Sequence, residues 1–559
     1  MRPQRRIVLA TRATLTCVVS VVLLGLLTAS PSGGVTPSLI QGSGSSWAEN
    51  AVNQWVTDVF NQGVQVVYNP DGDAAGRQDF ANNTSDFSVT AEGYQGVDPA
   101  TGLSDTSNGR KYAYLPIAAG GTAFPYQIRF DGQQVENLRL SGETLTKIFT
   151  NQITNWDDPA ITKDNNGVQL PSLPIIPVVQ AEGSGATQQL TQYFATEYPS
   201  IWQQFAGSSS ATEYWPRQGG QIAENGSNQA MNYVASSEAN GSISYVEYSF
   251  ALSVNYPVAK ILNSAGYFTL PTQYNVAVAL EDAQINMDTS SPDYLLQNLT
   301  NVYTDADPRT YPLSSYVYMI EPIGTSTQDS SITSGKRQAL ADFEYYSICQ
   351  GQKELGPIGY SPLPVNLVQA AFGQIQDLQT ADSTIDLTNL NILTCDNPTF
   401  VQGQPNTNYL AQIAPFPPAC DEVGAGPCAA GVTPNGLGAT PTSSGSYPGS
   451  AGGSASASSG GSSGSAGAGA GSGSGSGSSA ASQAAAATTS GSSAAGASAT
   501  SATSTTVAKA PVSTLVSQAL PAVSVWRPVS IAVIGALLLL FVVPVVLALR
   551  RSRRRTGIS

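Results

Sequence analysis

The chain of 559 residues contains no histidine and only five cysteines. Without imidazole it cannot form the Ser-His-Asp or Cys-His arrangements used in nucleophilic catalysis, and it lacks the commonest zinc ligand. No two cysteines have the Cys-x-x-Cys spacing of a metal site. We therefore expect no metal, no cofactor and no enzymatic activity.

Basic residues are also scarce. The chain has 24 lysines and arginines against 38 aspartates and glutamates, a formal net charge of −14. Ten of the arginines lie in the first 34 residues or after Pro511, and these two stretches contain no acidic residue. The part between them is therefore more acidic than the whole chain. Such a surface excludes nucleic acid and anionic lipid as main partners.

Two apolar runs mark the ends of the chain. Residues 1–34 combine four arginines, an apolar run and small residues, a pattern typical of a secretory signal peptide. Residues 529–549 carry no charge over 21 positions, which predicts one transmembrane helix. Five arginines follow it within residues 550–559 and indicate a cytoplasmic tail. We expect a single-pass protein of the cell membrane whose binding domain is extracellular.

Residues 431–515 consist almost wholly of glycine, serine, alanine and threonine. They contain too little apolar surface to fold, so we expect a disordered stalk that holds the rest of the chain away from the membrane. The globular part, residues 36–430, has about 400 residues, more than one core usually supports. This length predicts two lobes.

Four cysteines remain once the signal peptide is set aside. Disulfide bonds are the usual state of cysteine outside the cell. Four cysteines allow three connectivities, and we favour the one that joins neighbours along the chain. The predicted bonds are Cys349 to Cys395 and Cys420 to Cys428.

Strand-like and helix-like segments alternate along the globular part. Residues 64–68, 86–90 and 174–179 have the pattern of buried strands, whereas residues 51–60 and 141–149 have helical spacing. This order predicts an α/β fold in which ligands bind where strands end and glycine turns open helices.

The turn Gly183-Ser184-Gly185 opens one of these helices. Glycine lets the backbone approach a ligand, and free N–H groups at a helix N-terminus attract anions. The alternative is an ordinary N-cap in which Ser184 bonds the first-turn N–H groups, and the motif by itself favours that alternative.

The order and wording of several segments resemble the phosphate-binding proteins of Pst-type ABC importers. The stretch Leu140 to Ile161 is the most specific of them, since it is similar to the family's signature over its whole length. The other segments are Gly42–Trp47, Val66–Gly76, Ser85–Phe87, Gly241–Glu247 and Gly359–Pro364. The resemblance implies the type II periplasmic-binding-protein fold with two lobes and a hinge.

The same resemblance implies the lobe boundaries and the partners. Lobe 1 is expected to comprise residues 36–118 and 247–430, and lobe 2 residues 119–246, with the lobes closing on a ligand. The ligand implied is a small anion, phosphate, and the partner implied is an ABC permease. The ligand-binding residues implied are Ser45, Ser46, Trp47, Gly72, Asp73, Glu92, Gln180, Gly183, Ser184, Gly185, Ala186 and Thr187.

Several of these positions depart from the family pattern. Gln180 stands where the family has an arginine, Asp73 where it has a serine, Ala91 where it has an aspartate, and Ala186 where it has a threonine. A charge-assisted hydrogen bond contributes about 1.5–3 kcal/mol, so we expect weakened phosphate binding. Arg77 is interpreted as a solvated helix residue.

Two further interpretations stay open. Asp73, Glu92 and Glu182 are candidates for a cleft that takes a cation or a polyol, and Asp73 and Glu182 are equally candidates for charges that satisfy helix N-termini. The predicted function is a membrane-tethered extracellular solute-binding protein with an altered phosphate site. The alternative is a surface sensor or scaffold with the same fold and another ligand or none.

Overall fold

The structure is a computed structural model that describes residues 37–98, 101–401, 403–404 and 407–428. The predicted signal peptide, stalk, transmembrane helix and basic tail lie outside these residues. Among the helices of the described part, none is long and apolar enough to cross a membrane.

The elements alternate as the sequence pattern predicts. The strands are β1 (Ile40–Gly44), β2 (Val66–Asn69), β3 (Phe87–Thr90), β4 (Gly96–Val97), β5 (Ser104–Asp105), β6 (Tyr112–Ala123), β7 (Arg129–Phe130), β8 (Gln133–Gln134), β9 (Arg139–Leu140), β10 (Ile176–Gln180), β11 (Ile222–Glu224), β12 (Ser242–Ser244), β13 (Val246–Glu247), β14 (Lys260–Leu262), β15 (Phe268–Thr269), β16 (Gln284–Ile285), β17 (Gln297–Asn298) and β18 (Ser314–Pro322).

The helices include those predicted at residues 51–60, at residues 141–149 and after the Gly183 turn. They are α1 (Glu49–Phe60), α2 (Asp73–Ala81), α3 (Gly142–Phe149), α4 (Pro159–Asp164), α5 (Gly185–Glu197), α6 (Pro199–Ala206), α7 (Gly226–Ala235), α8 (Tyr248–Ser253), α9 (Gln273–Ala279), α10 (Thr300–Tyr303), α11 (Ser334–Ile348), α12 (Gln352–Ile358), α13 (Val365–Ala381) and α14 (Tyr409–Ile413).

The largest sheet has six strands in the order β13-β6-β18-β3-β1-β2. β1 is parallel to both β2 and β3, whereas β18 runs antiparallel to β3 and β6. All nine residues of β18 are buried, as expected for a central strand covered on both faces. The buried strand therefore lies inside the core, and glycine turns follow β1 and β2.

A second sheet has three parallel strands in the order β11-β10-β12. The Gly183 turn follows its central strand and leads into α5. β6 continues in the large sheet as far as Ala123, and β9 pairs with β14. These pairings join segments from both predicted lobe ranges, and the division into lobes stays a prediction.

Local signals explain the ends of the helices. The Ser141 side chain accepts a hydrogen bond from the N–H of Thr144 and caps α3, as the sequence predicts.

Buried tryptophans hold the layers together: Trp55 Nε1 donates to the Gly351 carbonyl at 3.1 Å, and Trp156 Nε1 donates to the Gly241 carbonyl at 2.9 Å.

Both predicted disulfides are present. Cys349 bonds Cys395, 46 positions away, and Cys420 bonds Cys428, eight positions away. The first bond ties the end of α11 to the segment that follows α13. The predicted α/β class and the predicted disulfide pairing are both confirmed.

Candidate functional site

Three glycine turns lie close together at the ends of β1, β2 and β10. The N–H of Gly72 donates to the Gly44 carbonyl at 2.9 Å, and the N–H of Ala74 donates to the Gly183 carbonyl at 3.2 Å. A Cβ on Gly185 would lie 2.5 Å from the Cβ of Ala91 and from Asp73 Oδ1. Only a residue without a side chain fits there, so the turns are packed directly against each other.

Asp73 is the centre of this contact. It is the first residue of α2 and is fully buried. Its Oδ1 accepts a hydrogen bond from the N–H of Ala91 at 2.7 Å, and Gly185 at the start of α5 packs directly against its carboxylate. The Asp73 carboxylate therefore lies against the Gly185 turn that the resemblance assigned to an anion.

Two opposing effects act on the pKa of Asp73. Burial raises the pKa, whereas the hydrogen bonds from Gly185 and Ala91 and the charge of Arg77 lower it; the pKa stays above its ordinary value. Asp73 thus also serves as a charge at a helix N-terminus, one of the two interpretations left open.

The Gly183 turn is capped by its own serine. Ser184 Oγ accepts a hydrogen bond from the N–H of Thr187 at 3.1 Å and donates to Thr187 Oγ1 at 2.9 Å. Thr187 Oγ1 in turn lies 2.8 Å from the Tyr245 hydroxyl. The N-cap interpretation therefore describes Ser184, and its hydroxyl is satisfied within the protein.

Gln180 and Glu182 also bond neighbouring protein groups. Gln180 Nε2 donates to Ser227 Oγ at 3.2 Å and to the Tyr245 carbonyl at 3.3 Å. Glu182 Oε2 accepts a hydrogen bond from the N–H of Gly226, the first residue of α7, at 2.9 Å. Glu182 thus satisfies the N-terminus of α7, a helix remote from it in the sequence.

Residues 45–47 lead from β1 into α1. Ser46 Oγ accepts a hydrogen bond from the N–H of Ser227 at 3.2 Å, and the N–H of Ser45 donates to the Val89 carbonyl at 2.8 Å. The Trp47 ring packs edge-on against Tyr360 with the ring centroids 5.7 Å apart. The side-chain ring of Trp47 therefore packs in the core.

The structure corrects the interpretation of Arg77 as a solvated helix residue. It is fully buried, whereas the helical pattern indicated a solvated residue. Its guanidinium lies 2.7 Å from Glu213, 3.0 Å from Asp105 and 3.5 Å from Glu92. Three carboxylates compensate the buried charge, which is why burial is tolerated. The small residues Ala74–Gly76 of α2 were the one local sign of close packing.

Glu92 and Glu213 face each other beside Arg77. Burial raises the pKa of both, the charge of Glu213 raises that of Glu92 further, and the charge of Arg77 lowers both. Glu213 and Asp105 belong to no recognised motif, and they reach Arg77 only through folding. They are the site residues that sequence reasoning missed.

A cavity of about 280 Å³ adjoins Glu92. It lies between α5 and residues 296–303, and five of its lining side chains are amides. Its lining includes the side chains of Glu92, Gln188, Gln192, Leu296, Leu299 and Tyr303.

The family model described as the PBP superfamily domain matches residues 29–350. The chain belongs to the PBP superfamily. Two similar relatives of this superfamily chain are named phosphate-binding proteins. The one from Xylella fastidiosa is 30% identical over 46% of this chain and 64% of its own length, and PstS 2 of Mycobacterium tuberculosis is 29% identical over 58% and 83%.

These relatives confirm the resemblance to phosphate-binding proteins that the sequence motifs indicated. This chain spans less than two thirds of the Xylella protein. A solved high-affinity periplasmic phosphate-binding protein with bound phosphate is 18% identical, with a TM-score of 0.48 over 62% of this chain and 99% of that one.

The structure of this PBP-superfamily chain brings together most of the predicted ligand residues. Asp73 lies against the Gly183–Gly185 turn, and Gly72 lies within reach of Glu182. Ser46 joins the same cluster through Glu182 and Ser227. Whether these residues hold a ligand stays a prediction.

Proposed function

We propose that this chain is an extracellular solute-binding protein of the phosphate-binding type whose anion site holds phosphate weakly. One observation carries the proposal: the buried Asp73 carboxylate accepts a hydrogen bond from the N–H of Ala91 at 2.7 Å and packs against Gly185, the first residue of α5. Helix N-termini with free N–H groups bind anions. The site is therefore suited to an anion, but the Asp73 carboxylate competes with that anion for the N–H donors.

The expected loss of affinity follows from charge. Phosphate that enters this site must displace Asp73 from its N–H donors or bind beside a second negative charge. A hydrogen bond to a charged group contributes about 1.5–3 kcal/mol, and each 1.4 kcal/mol changes a dissociation constant about tenfold. Gln180 adds no positive charge, since it is an amide that bonds Ser227 and Tyr245.

Buried Arg77 does not restore the missing charge. Its guanidinium bonds Glu92, Asp105 and Glu213, and its side chain is fully covered. The charges around it sum to an acidic site, in contrast to the arginine-containing site implied by the resemblance. We expect phosphate to bind this protein less tightly than it binds the relatives that carry the arginine.

Location and partner complete the proposal. The apolar run within residues 1–34 supports secretion, and residues 529–549 with the arginines after them support a tether to the cell membrane. The names of the relatives support phosphate as the ligand, and the resemblance to the Pst-type importers supports delivery to an ABC permease. Lobe closure on the ligand is the expected movement.

The test is phosphate binding by the full chain in detergent, measured by calorimetry with sulfate for comparison. Asp73→Ser frees the N–H donors and removes the competing charge, so we expect phosphate to bind at least about tenfold more tightly. Asp396→Ser, which removes a carboxylate from an exposed position, is the matched control. If folded Asp73→Ser binds phosphate no better than wild type at roughly 10 mM ligand, the proposal is wrong.

A further inference from the structure

The cavity beside Glu92, here called the amide cavity, adjoins the packed glycine turns through Ala91. Its wall on one side is α5, which contributes Gln188 and Gln192, and its wall on the other is the segment with Leu296, Leu299 and Tyr303. At about 280 Å³ it is smaller than the pockets that take drug-sized ligands. A ligand with a single small ring matches this size.

The lining is polar and almost uncharged. Five lining side chains are amides, one is a carboxyl, and none of the lining residues is a lysine or arginine. Amides both donate and accept hydrogen bonds, as hydroxyl groups do. An anion would meet no cation here, since Arg77 is fully buried and bonded to its three carboxylates.

A cation is disfavoured for a related reason. Glu92 is the one carboxyl of the lining, and its Oε1 lies 3.5 Å from the guanidinium of Arg77, which offsets part of its charge. Burial also raises the pKa of Glu92 and favours its neutral form. The other polar groups of the lining are neutral, so the cavity offers mainly uncharged hydrogen-bond partners.

Three polar atoms of the lining residues lack partners. The Tyr303 hydroxyl, Gln188 Oε1 and Glu92 Oε2 are buried and have no hydrogen-bond partner among the described residues. Buried polar atoms in folded proteins are nearly always bonded. The Tyr303 ring is held edge-on against Tyr193 with centroids 5.2 Å apart, so packing fixes where this hydroxyl lies.

Apolar groups complete the lining. Leu296 and Leu299 lie in the same wall as Tyr303, and they can cover the C–H face of a ring whose hydroxyls meet the amides. Gln297 is fixed in place, since its amide bonds the Ala91 carbonyl and both backbone groups of Tyr316. A preformed wall of this kind lowers the ordering cost of binding.

We propose that the amide cavity binds a small uncharged polyhydroxylated solute, a cyclic polyol or a monosaccharide. Gln188 and Gln192 bond its hydroxyl groups from α5, and Tyr303 bonds it from the opposite wall. This site adjoins the anion site at Asp73, because Ala91 lines the cavity and also bonds Asp73, but the side chains that bond the polyol are different ones. A ligand there contacts both α5 and the 296–303 segment and holds them together.

The test is calorimetry on the full chain in detergent with myo-inositol and D-glucose as ligands. We expect at least one of the two to bind, and Tyr303→Phe and Gln188→Leu each to weaken that binding at least about fivefold. Gln203→Leu, which changes an exposed glutamine of α6, is the matched control and should bind as wild type does. Urea unfolding of each variant verifies that it is folded.

Phosphate binding by the cavity variants separates the two proposals. Tyr303→Phe and Gln188→Leu should weaken polyol binding while they leave phosphate binding unchanged, since neither residue belongs to the predicted anion site. The inference is overturned if neither polyol binds wild type at roughly 10 mM, if the folded Tyr303 and Gln188 variants bind as wild type does, or if tetramethylammonium binds in place of the polyols.

Discussion

Replacing Arg77 by methionine tests the buried charge cluster directly. Arg77 is the partner of Glu92, Asp105 and Glu213, at distances of 2.7–3.5 Å, and it is fully buried. Removing one partner of a buried ion pair typically costs about 3–5 kcal/mol, because the remaining charge is left uncompensated. Three carboxylates lose their partner here, so we expect Arg77→Met to lower the free energy of unfolding by at least this amount at pH 7.

The loss should depend on pH, and its sign follows from the pKa shifts. The charge of Arg77 lowers the pKa of both Glu92 and Glu213, so its removal raises both further above their ordinary values. A group whose pKa is raised by folding stabilises the folded state at low pH and loses that contribution as pH rises. Arg77→Met should therefore be destabilised more at pH 7 than at pH 5.

The assay is urea unfolding of the full chain at pH 5 and pH 7. Arg129→Met, which removes an arginine from an exposed position, is the matched control and should change stability by no more than about 0.5 kcal/mol. A loss below about 1 kcal/mol at pH 7, or an equal loss at both pH values, would refute the reasoning. Leaving buried carboxylates without their partner should lower the free energy of unfolding by more than that.

Two further predictions concern the core around the site. Cys349→Ser should lower the free energy of unfolding by about 4 kcal/mol, from the loop entropy of the 46-residue separation; equal urea midpoints with and without the disulfide would contradict this. Glu321 and Glu344 face each other in the core, where burial raises the pKa of both. Stability should therefore fall as pH rises above their unfolded values, and Glu344→Gln should flatten that fall between pH 6 and 9; parallel curves for the variant and wild type in urea titrations would count against it.

Much of the fold was predictable because its signals are local. The helix cap at Ser141, the cap at Ser184 and the strands that precede the glycine turns depend on residues within a few positions of each other. The disulfide pairing followed chain proximity in the same way. The family could be inferred because its signature segments are contiguous.

The interpretation of Arg77 was wrong for a physical reason. Helical spacing indicates which residues share a face of the helix, but it does not indicate which remote groups pack against that face. The carboxylate of Glu213 comes from a segment 136 positions away. Whether an arginine is solvated or paired depends on such remote neighbours. The acidity of this site could not be predicted from a motif, since Asp105 and Glu213 belong to none.

The sequence by itself determined the α/β order, the glycine turns and the departures from the phosphate-binding pattern, because these are properties of neighbouring residues. The tertiary structure alone decided which groups the N–H donors of the predicted anion site contact. It places the Asp73 carboxylate on the N–H of Ala91 and against Gly185. Hydrogen bonds act over about 3 Å, so their partners are settled only when segments far apart in the chain are packed together.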